Sequence, residues 1–186
     1  MLIGVSVISC CLLYSIMFLI LYFSKSRINN MENKIYSVLL IVNLIDLIME
    51  LLCCYFTYYN NASPFNTLMC SVCNRLFIIC LLTWLSIFTF YIFYITFTKQ
   101  QKIQKDIEKY QNRFFKIAGS MYAILCVLAL ILPLEYYNDG NIVYSYGAAT
   151  QLLVVFGAAS IIFEVFCVYK NRSNIRSLQY YPLFIK

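Results

Sequence analysis

Five long apolar runs constrain the fold of this chain more than any other feature of its sequence. Each run is close to the roughly 20 residues that a helix needs to cross the hydrocarbon core of a bilayer. The runs are continuously apolar rather than alternating, so their backbone groups find partners within helices and not between the strands of a barrel. The sequence therefore predicts an all-α, polytopic transmembrane bundle, with full spans at about residues 2–23, 35–58, 76–97, 117–134 and 148–169.

Composition supports the same fold class. Hydrophobic residues make up 62% of the chain and charged residues 12%, against roughly 45–50% and about 25% in soluble domains. We expect a single transmembrane domain over residues 1–186, in a multi-pass protein of the cell membrane whose main partner is the lipid bilayer. A further apolar stretch at 178–186 is too short to span, and is expected to be the start of a sixth span or a truncated end.

Basic residues predict the orientation of the spans. All of the 14 Lys and Arg residues except Arg75 and Lys186 lie in three loops, near residues 24–34, 98–116 and 170–177. Loops rich in Lys and Arg stay on the cytoplasmic side, which places the N-terminus outside the cell. The net charge of +6 is explained by this topological signal, so we expect no nucleic-acid partner.

The sequence lacks the residues of most familiar catalytic sites. It has no histidine, which removes a phospho-accepting His, a Cys/His or Ser/His nucleophile pair and His-containing zinc sites. Its five glycines are scattered and match no phosphate-binding loop. We therefore predict no cofactor, no metal and no complete enzyme in this chain.

One cysteine pair stands out among the nine cysteines. Cys70 and Cys73 are separated by two residues in a predicted outer loop at about 59–75. A structural zinc site needs four ligands, and one pair supplies two. Packing as small hydrophobic side chains, an outer-loop disulfide and a metal site all remain open.

Three polar residues interrupt the second apolar run. Asn43, Asp46 and Glu50 are spaced i, i+3, i+7 and share one helix face. Because each acid at the centre of a span opposes insertion by about 2.5–3.5 kcal/mol, this face should meet other helices rather than lipid. Glu164 is a third acid within a span, in the fifth run.

Three hypotheses remain open for these acids. They act as structural hydrogen-bonding groups, as a polar pivot that changes partners between signalling states, or as part of an ion or proton path. The candidate partners for the structural role are Thr83, Ser86, Ser120 and Gln151.

Aromatic residues concentrate in the second predicted outer loop. Tyr136, Tyr137, Tyr144 and Tyr146 lie near the acids Glu135 and Asp139. Such a surface suits an extracellular peptide or an apolar ligand. The alternative is an ordinary belt of tyrosines at the membrane interface.

Three segments carry a resemblance to a known family. They are "ENKIYSVLLIVNLIDLIMELLCCYF" (32–56), "NRLFIICLLTWLSIFTFYIFYIT" (74–96) and "YSYGAATQLLVV" (144–155). Together they resemble the N-terminal membrane sensor region of GHKL-class sensor histidine kinases of low-GC Gram-positive bacteria, which include receptors of quorum-sensing peptides. The shared features are the apolar pattern, the NK-x-Y start and the acid of the second helix, and the YSYG start of the fifth.

The resemblance implies a function in signal transduction. The chain would be the input region of a two-component kinase, acting as a homodimer, while the phospho-accepting His and the ATP-binding domain would follow the last span of a longer protein. The end of the sequence within a further apolar stretch fits a fragment of such a kinase. The alternatives are a small transporter or channel component and a membrane scaffold protein.

Overall fold

The computed structural model describes residues 2–25, 30–98, 104–138 and 143–170. This part of the chain forms long helices and one small β-hairpin. The helices are α1 (Leu2–Ser24), α2 (Met31–Tyr58), α3 (Pro64–Thr98), α4 (Gln104–Ile131) and α5 (Ala148–Lys170), with a short 3₁₀ turn at Asn60–Ala62. Strands β1 (Glu135–Asn138) and β2 (Val143–Tyr146) pair antiparallel between α4 and α5. The all-helical prediction is thus confirmed for the bundle, and the hairpin was not predicted.

Four helices are long and apolar enough to cross a membrane. They are Gly4–Ser24, Met31–Tyr58, Pro64–Thr96 and Ala148–Lys170, and in each only 11% of the most apolar window is buried inside the protein. Outward-facing apolar surface of this extent is typical of helices surrounded by lipid. The apolar part of α4, Phe115–Ile131, is shorter. The structure therefore supports a membrane-embedded protein with four long apolar helices and one shorter one.

Helix α3 starts much earlier than predicted, at Pro64 rather than near residue 76. The oxygen Oγ of Ser63 accepts a hydrogen bond from the backbone N–H of Asn66 at 3.2 Å. Proline suits the first position of a helix, because its fixed φ is helical and its missing N–H would have no partner there. Most of the predicted outer loop at 59–75 is therefore helix, and the prediction of a loop was wrong.

Two other helix bounds follow from local chemistry. Helix α2 starts at Met31, because Oδ1 of Asn30 accepts from the N–H of Asn33 at 2.9 Å and caps its first turn. Helix α4 ends at Ile131 instead of continuing to 134, because Pro133 has no N–H and restricts the residue before it. The stretch 178–186, predicted to begin a sixth span, lies outside the described residues.

Helix α3 is the centre of the bundle and packs against α2, α4 and α5, while α1 packs chiefly on α2. Helices α3 and α4 run antiparallel, as shown by the contacts Phe90–Phe115, Thr83–Tyr122 and Arg75–Ala129. We call the end of the bundle with the β-hairpin the hairpin end. The opposite end, where α1 and α5 finish and α2 starts, is the basic end.

A glycine connects the hairpin to α5. Gly147 has φ of +124°, and a Cβ there would lie 2.8 Å from the carbonyl oxygen of Pro133. The N–H of Ala149 donates to the same oxygen at 3.5 Å. Only glycine combines this backbone conformation with such a close approach, so this residue fixes the start of α5 against the end of α4.

Candidate functional site

A polar stripe runs along α2 from its middle to the hairpin end. It contains Asn43, Asp46 and Glu50, as predicted, and continues through Cys53 and Thr57 with alternating spacings of three and four residues. This spacing keeps all five side chains on one face of the helix. Asp46, Cys53 and Thr57 are buried, and Asn43 and Glu50 are half-buried. We call these five residues the α2 polar stripe.

Hydrogen bonds satisfy both ends of the α2 polar stripe. At one end, Nδ2 of Asn43 donates to Oγ of Ser15 in α1 at 3.3 Å. At the other end, Nδ2 of Asn74 in α3 donates to Oγ1 of Thr57 at 3.0 Å and to the carbonyl oxygen of Cys70 at 2.9 Å. Helix α2 is thus attached to α1 near the middle of α2 and to α3 at the hairpin end.

The centre of the stripe is not satisfied in this way. Asp46 is only 9% exposed, and its Oδ1 has no hydrogen-bond partner in the described part of the chain. A buried polar atom without a partner destabilises a fold by about 1–3 kcal/mol. The three hydroxyls that we expected as partners bond elsewhere: Thr83 to Ile79 and Tyr122, Ser86 to Leu82, and Ser120 to Ile117.

No cation faces these acids in the described structure. Glu50 lies one turn from Asp46 toward the hairpin end, and neither carboxyl forms an ion pair with a described residue. Arg75, the basic residue within the described α3, donates instead to the carbonyl oxygens of Ala129 at 3.1 Å, Leu130, and Leu132 at 3.2 Å. Its guanidinium therefore caps the C-terminus of α4.

Glu164 is in a different setting from the α2 acids. The hydroxyl of Thr89 in α3 donates to its Oε1 at 2.9 Å, which connects α5 to α3 in the half of the bundle nearer the basic end. Asp46 lies instead beside Cys80, earlier in α3. The structure thus does not bring Glu164 to the α2 polar stripe, and its contact is that of a structural hydrogen-bonding group.

The pair Cys70 and Cys73 lies within α3 and not in a loop. Both side chains are buried, both thiols are free, and Sγ of Cys70 lies 3.6 Å from Oγ1 of Thr57. Among the described residues, no group of three or more Cys, Asp or Glu side chains is arranged to hold a metal ion. The two cysteines pack as interior side chains between α2 and α3.

The β-hairpin divides the four predicted tyrosines between its two faces. Tyr137 pairs with Tyr144 and Glu135 with Tyr146, so these side chains share one face. Tyr137, Tyr144 and Tyr146 are 42%, 49% and 43% exposed. Tyr136 points to the opposite face, where it shares a hydrogen bond with Ser71 of α3. The four tyrosines thus do not share one face, and we call the exposed three residues the tyrosine face.

Local contacts set the electrostatics of the hairpin. The ring centroids of Tyr137 and Tyr144 lie 5.1 Å apart, and those of Tyr144 and Tyr146 lie 6.0 Å apart. The hydroxyl of Tyr146 donates to the Glu135 carboxylate, which raises the pKa of Tyr146. Burial raises the pKa of Tyr136 on the other face. The tyrosine face thus combines three rings with one carboxylate.

One hydrogen bond ties the hairpin to the α2 helix. Nδ2 of Asn138 donates to the carbonyl oxygen of Tyr58 at 2.8 Å, at the C-terminus of α2. Sequence reasoning missed both this bond and the hairpin that positions it. The signal was present, since Asp139-Gly140 between "EYYN" and "VYSY" is a typical hairpin turn pair.

Comparison with known proteins finds no matching family model, no matching curated protein and no matching solved structure.

Proposed function

We propose that this chain is the membrane-embedded input domain of a signal-transduction system, with its hairpin end outside the cell. The three segments that resemble GHKL-class kinase sensor regions lie in or next to α2, α3 and α5. The basic loops favour the same orientation. The antiparallel packing of α4 along α3 supports a topology of five crossings, in which the short α4 also spans.

The bond from Asn138 to Tyr58 is the observation that carries this proposal. It joins the exposed hairpin to the end of α2 at 2.8 Å. A ligand that shifts the hairpin pulls on α2, and with it on Asp46. Oδ1 of Asp46 has no partner in the described structure. A small movement of α2 therefore breaks no hydrogen bond at this atom and brings it to a position where it accepts a new one. Asp46 and Glu50 then act as the polar pivot.

The proposed partners follow from the two ends of the bundle. The tyrosine face takes an extracellular peptide or an apolar ligand, because its rings offer apolar area beside the Glu135 carboxylate. The basic end passes the helix movement to a cytoplasmic kinase region, and the input domain works as a homodimer. Tyr136 is excluded from the ligand surface, since it faces Ser71.

The test uses the complete chain reconstituted in liposomes. Trp84 is the one tryptophan of the sequence and stacks on Phe88 in α3, so its emission reports helix movement. Size-fractionated spent medium from the source cells is added outside, with fresh medium as the blank. We expect one fraction to change Trp84 emission, and the change to be weaker in Asn138→Ala than in the matched variant Asn66→Ala. No response to any fraction, or equal responses of both variants, contradicts the proposal.

A small proton- or cation-translocating protein is the second candidate. The observation that favours it is the pair of acids Asp46 and Glu50, one turn apart and without an ion pair in the described structure. Such intramembrane acids mark proton and ion paths in transporters. The same liposomes, loaded with a pH-sensitive dye, distinguish the two: proton flux that is lost in Glu50→Gln favours transport, and absence of flux favours the input domain.

A further inference from the structure

A second site lies away from the acids and the hairpin, in a cavity between α3, α4 and α5. Its volume is about 280 Å³, close to the lower end of the roughly 300–1,000 Å³ typical of ligand pockets. It is partly open at the side of the bundle. Small residues leave the space, and aromatic rings border it: Ala118 of α4, Ala159 and Ser160 of α5, and Phe90, Phe156 and Phe163.

The walls of the cavity suit a hydrocarbon chain and not a polar molecule. Three lining hydroxyls already bond to the protein: Ser86 to the carbonyl oxygen of Leu82, Thr89 to Glu164, and Tyr122 to Thr83. The remaining lining is largely apolar. Since the cavity lies within membrane-spanning helices, its opening faces lipid chains.

Two cations lie on α4 and α5, between the cavity and the basic end of the bundle. On α4, Arg113 is spaced i, i+4, i+8 with the lining residues Ile117 and Met121. On α5, Lys170 follows the lining residue Phe163 by two turns. These spacings place both cations on the helix faces that line the cavity, nearer the membrane surface. Both side chains are exposed.

Two ring contacts show where Arg113 and Lys170 lie relative to the cavity. The ring of Phe115, between Arg113 and Ile117 in sequence, lies 4.2 Å from the ring of the lining residue Phe90. The ammonium of Lys170 lies 5.8 Å above the ring of Phe166. The nearby acid Glu164 is about 9 Å along α5 from Lys170, and its Oε1 accepts from Thr89.

We propose that the cavity binds one acyl chain of an anionic phospholipid, whose phosphate lies between Arg113 and Lys170. An apolar slot that ends in two cations matches a lipid with a hydrocarbon tail and a negative headgroup. In the proposed orientation the basic end faces the cytoplasm, where anionic lipids attract juxtamembrane Lys and Arg. The site shares the proposed orientation but does not involve the tyrosine face, so a failure of the input-domain function would not remove it.

Lipid retention by the purified complete chain tests the headgroup contact. Phosphatidylglycerol and phosphatidylcholine with identical acyl chains are offered in detergent, and bound lipid is counted by native mass spectrometry. Because each Lys or Arg near an anionic surface is worth about a fivefold preference, we expect wild type to retain phosphatidylglycerol preferentially. Arg113→Gln and Lys170→Gln should each reduce that preference roughly fivefold, whereas Lys34→Gln, an exposed cation at the same end on α2, should not.

A matched pair of α5 variants tests the acyl-chain contact. Ala158 and Ala159 are adjacent and both exposed, but only Ala159 lines the cavity. Ala159→Phe should abolish retention of the lipid and Ala158→Phe should preserve it. Ala118→Leu, on the opposite wall, is a second filling variant, and helicity and Trp84 emission confirm that each variant is folded.

Three outcomes would overturn the proposal. They are equal retention of the two lipids by wild type, equal loss of preference in Lys34→Gln and Lys170→Gln, and full retention in folded Ala159→Phe and Ala118→Leu. Soluble glycerol phosphate, offered at the same concentration, should not be retained. Its retention would assign the cations to a free phosphate and remove the lipid from the site.

Discussion

Two acids within the helices of this protein, the buried Asp46 and the half-buried Glu164, show that the same side-chain chemistry occurs in different settings in one bundle. Glu164 has a hydroxyl donor on a neighbouring helix at 2.9 Å, and its removal leaves Thr89 without that partner. Asp46 has an oxygen without any partner in the described residues, and its removal leaves no donor unpaired at that atom. Stability should therefore respond to the two acids in opposite ways.

We expect Asp46→Leu to maintain or raise the thermal stability of the chain in detergent, because it replaces a buried carboxyl whose Oδ1 has no partner in the described residues by an apolar side chain. Glu164→Leu should lower stability by about 1 kcal/mol, a typical value for an interhelical hydrogen bond in a membrane protein. Unfolding followed by Trp84 emission measures both variants. A clear loss of stability in Asp46→Leu would show that this carboxyl holds helices together.

Tyr146 supplies a pH-dependent contact outside the membrane helices. Its hydroxyl donates to Glu135, which raises the pKa of Tyr146 above the usual value of about 10. The contribution of this bond is thus complete below about pH 10 and is lost as the pH rises through the folded-state pKa. We expect tyrosinate difference absorbance, wild type minus Tyr146→Phe, to show late ionisation. In Glu135→Gln the ionisation should shift to lower pH, and an unchanged curve would exclude the bond.

At the scale of elements, apolar pattern was enough to identify the helices but not their ends. Run lengths predicted α1 closely, because no charged residue interrupts it. The start of α3 was missed, since residues 64–75 include polar side chains such as Asn66, Asn74 and Arg75 and so fall outside the continuous apolar run. The hairpin was missed because the tyrosines were read by composition and not by alternation. The hydrogen bond between Tyr136 and Ser71 is a long-range contact that no local pattern encodes.

The joint between the hairpin and α5 has a testable requirement for glycine. Gly147→Ala should lower stability by about 1–3 kcal/mol, as expected for a residue forced into a rare backbone conformation, with its Cβ against Pro133. Gly119→Ala is the matched control: it lies within α4 with nothing within 4 Å of the added Cβ, and should stabilise by roughly 0.5–1 kcal/mol. Equal effects of the two changes on thermal unfolding would contradict the described joint.

On the scale of the whole molecule, the bundle is organised around α3 and separates two chemically different ends. One end has the hairpin, its tyrosine face and Arg75 bound to helix carbonyls. The other end collects the cations of α2, α4 and α5. The proposed orientation and the proposed lipid site both depend on this separation.

Reporter fusions check the orientation directly. Fusions after Asn29, Gln104 and Ser173 should report the cytoplasm, and fusions after Asn61 and Gly140 the exterior, because Lys and Arg in short loops stay inside. The fusion after Gly140 is the decisive one, since it reports whether the short helix α4 crosses. A cytoplasmic signal there would leave three crossings before it and remove the hairpin from the outer surface.

The central position of α3 also sets an order of events during biosynthesis. The chain is made from its N-terminus, so α2 reaches the membrane before the helix that covers its polar stripe. At that stage Oγ of Ser15 in α1 is already able to accept a hydrogen bond from Asn43, while Asp46 and Thr57 are not yet covered by α3. Each uncovered acid opposes insertion by about 2.5–3.5 kcal/mol. We therefore expect α2 to be least stable in the membrane between its own synthesis and the arrival of α3, which follows after the short connection 59–63.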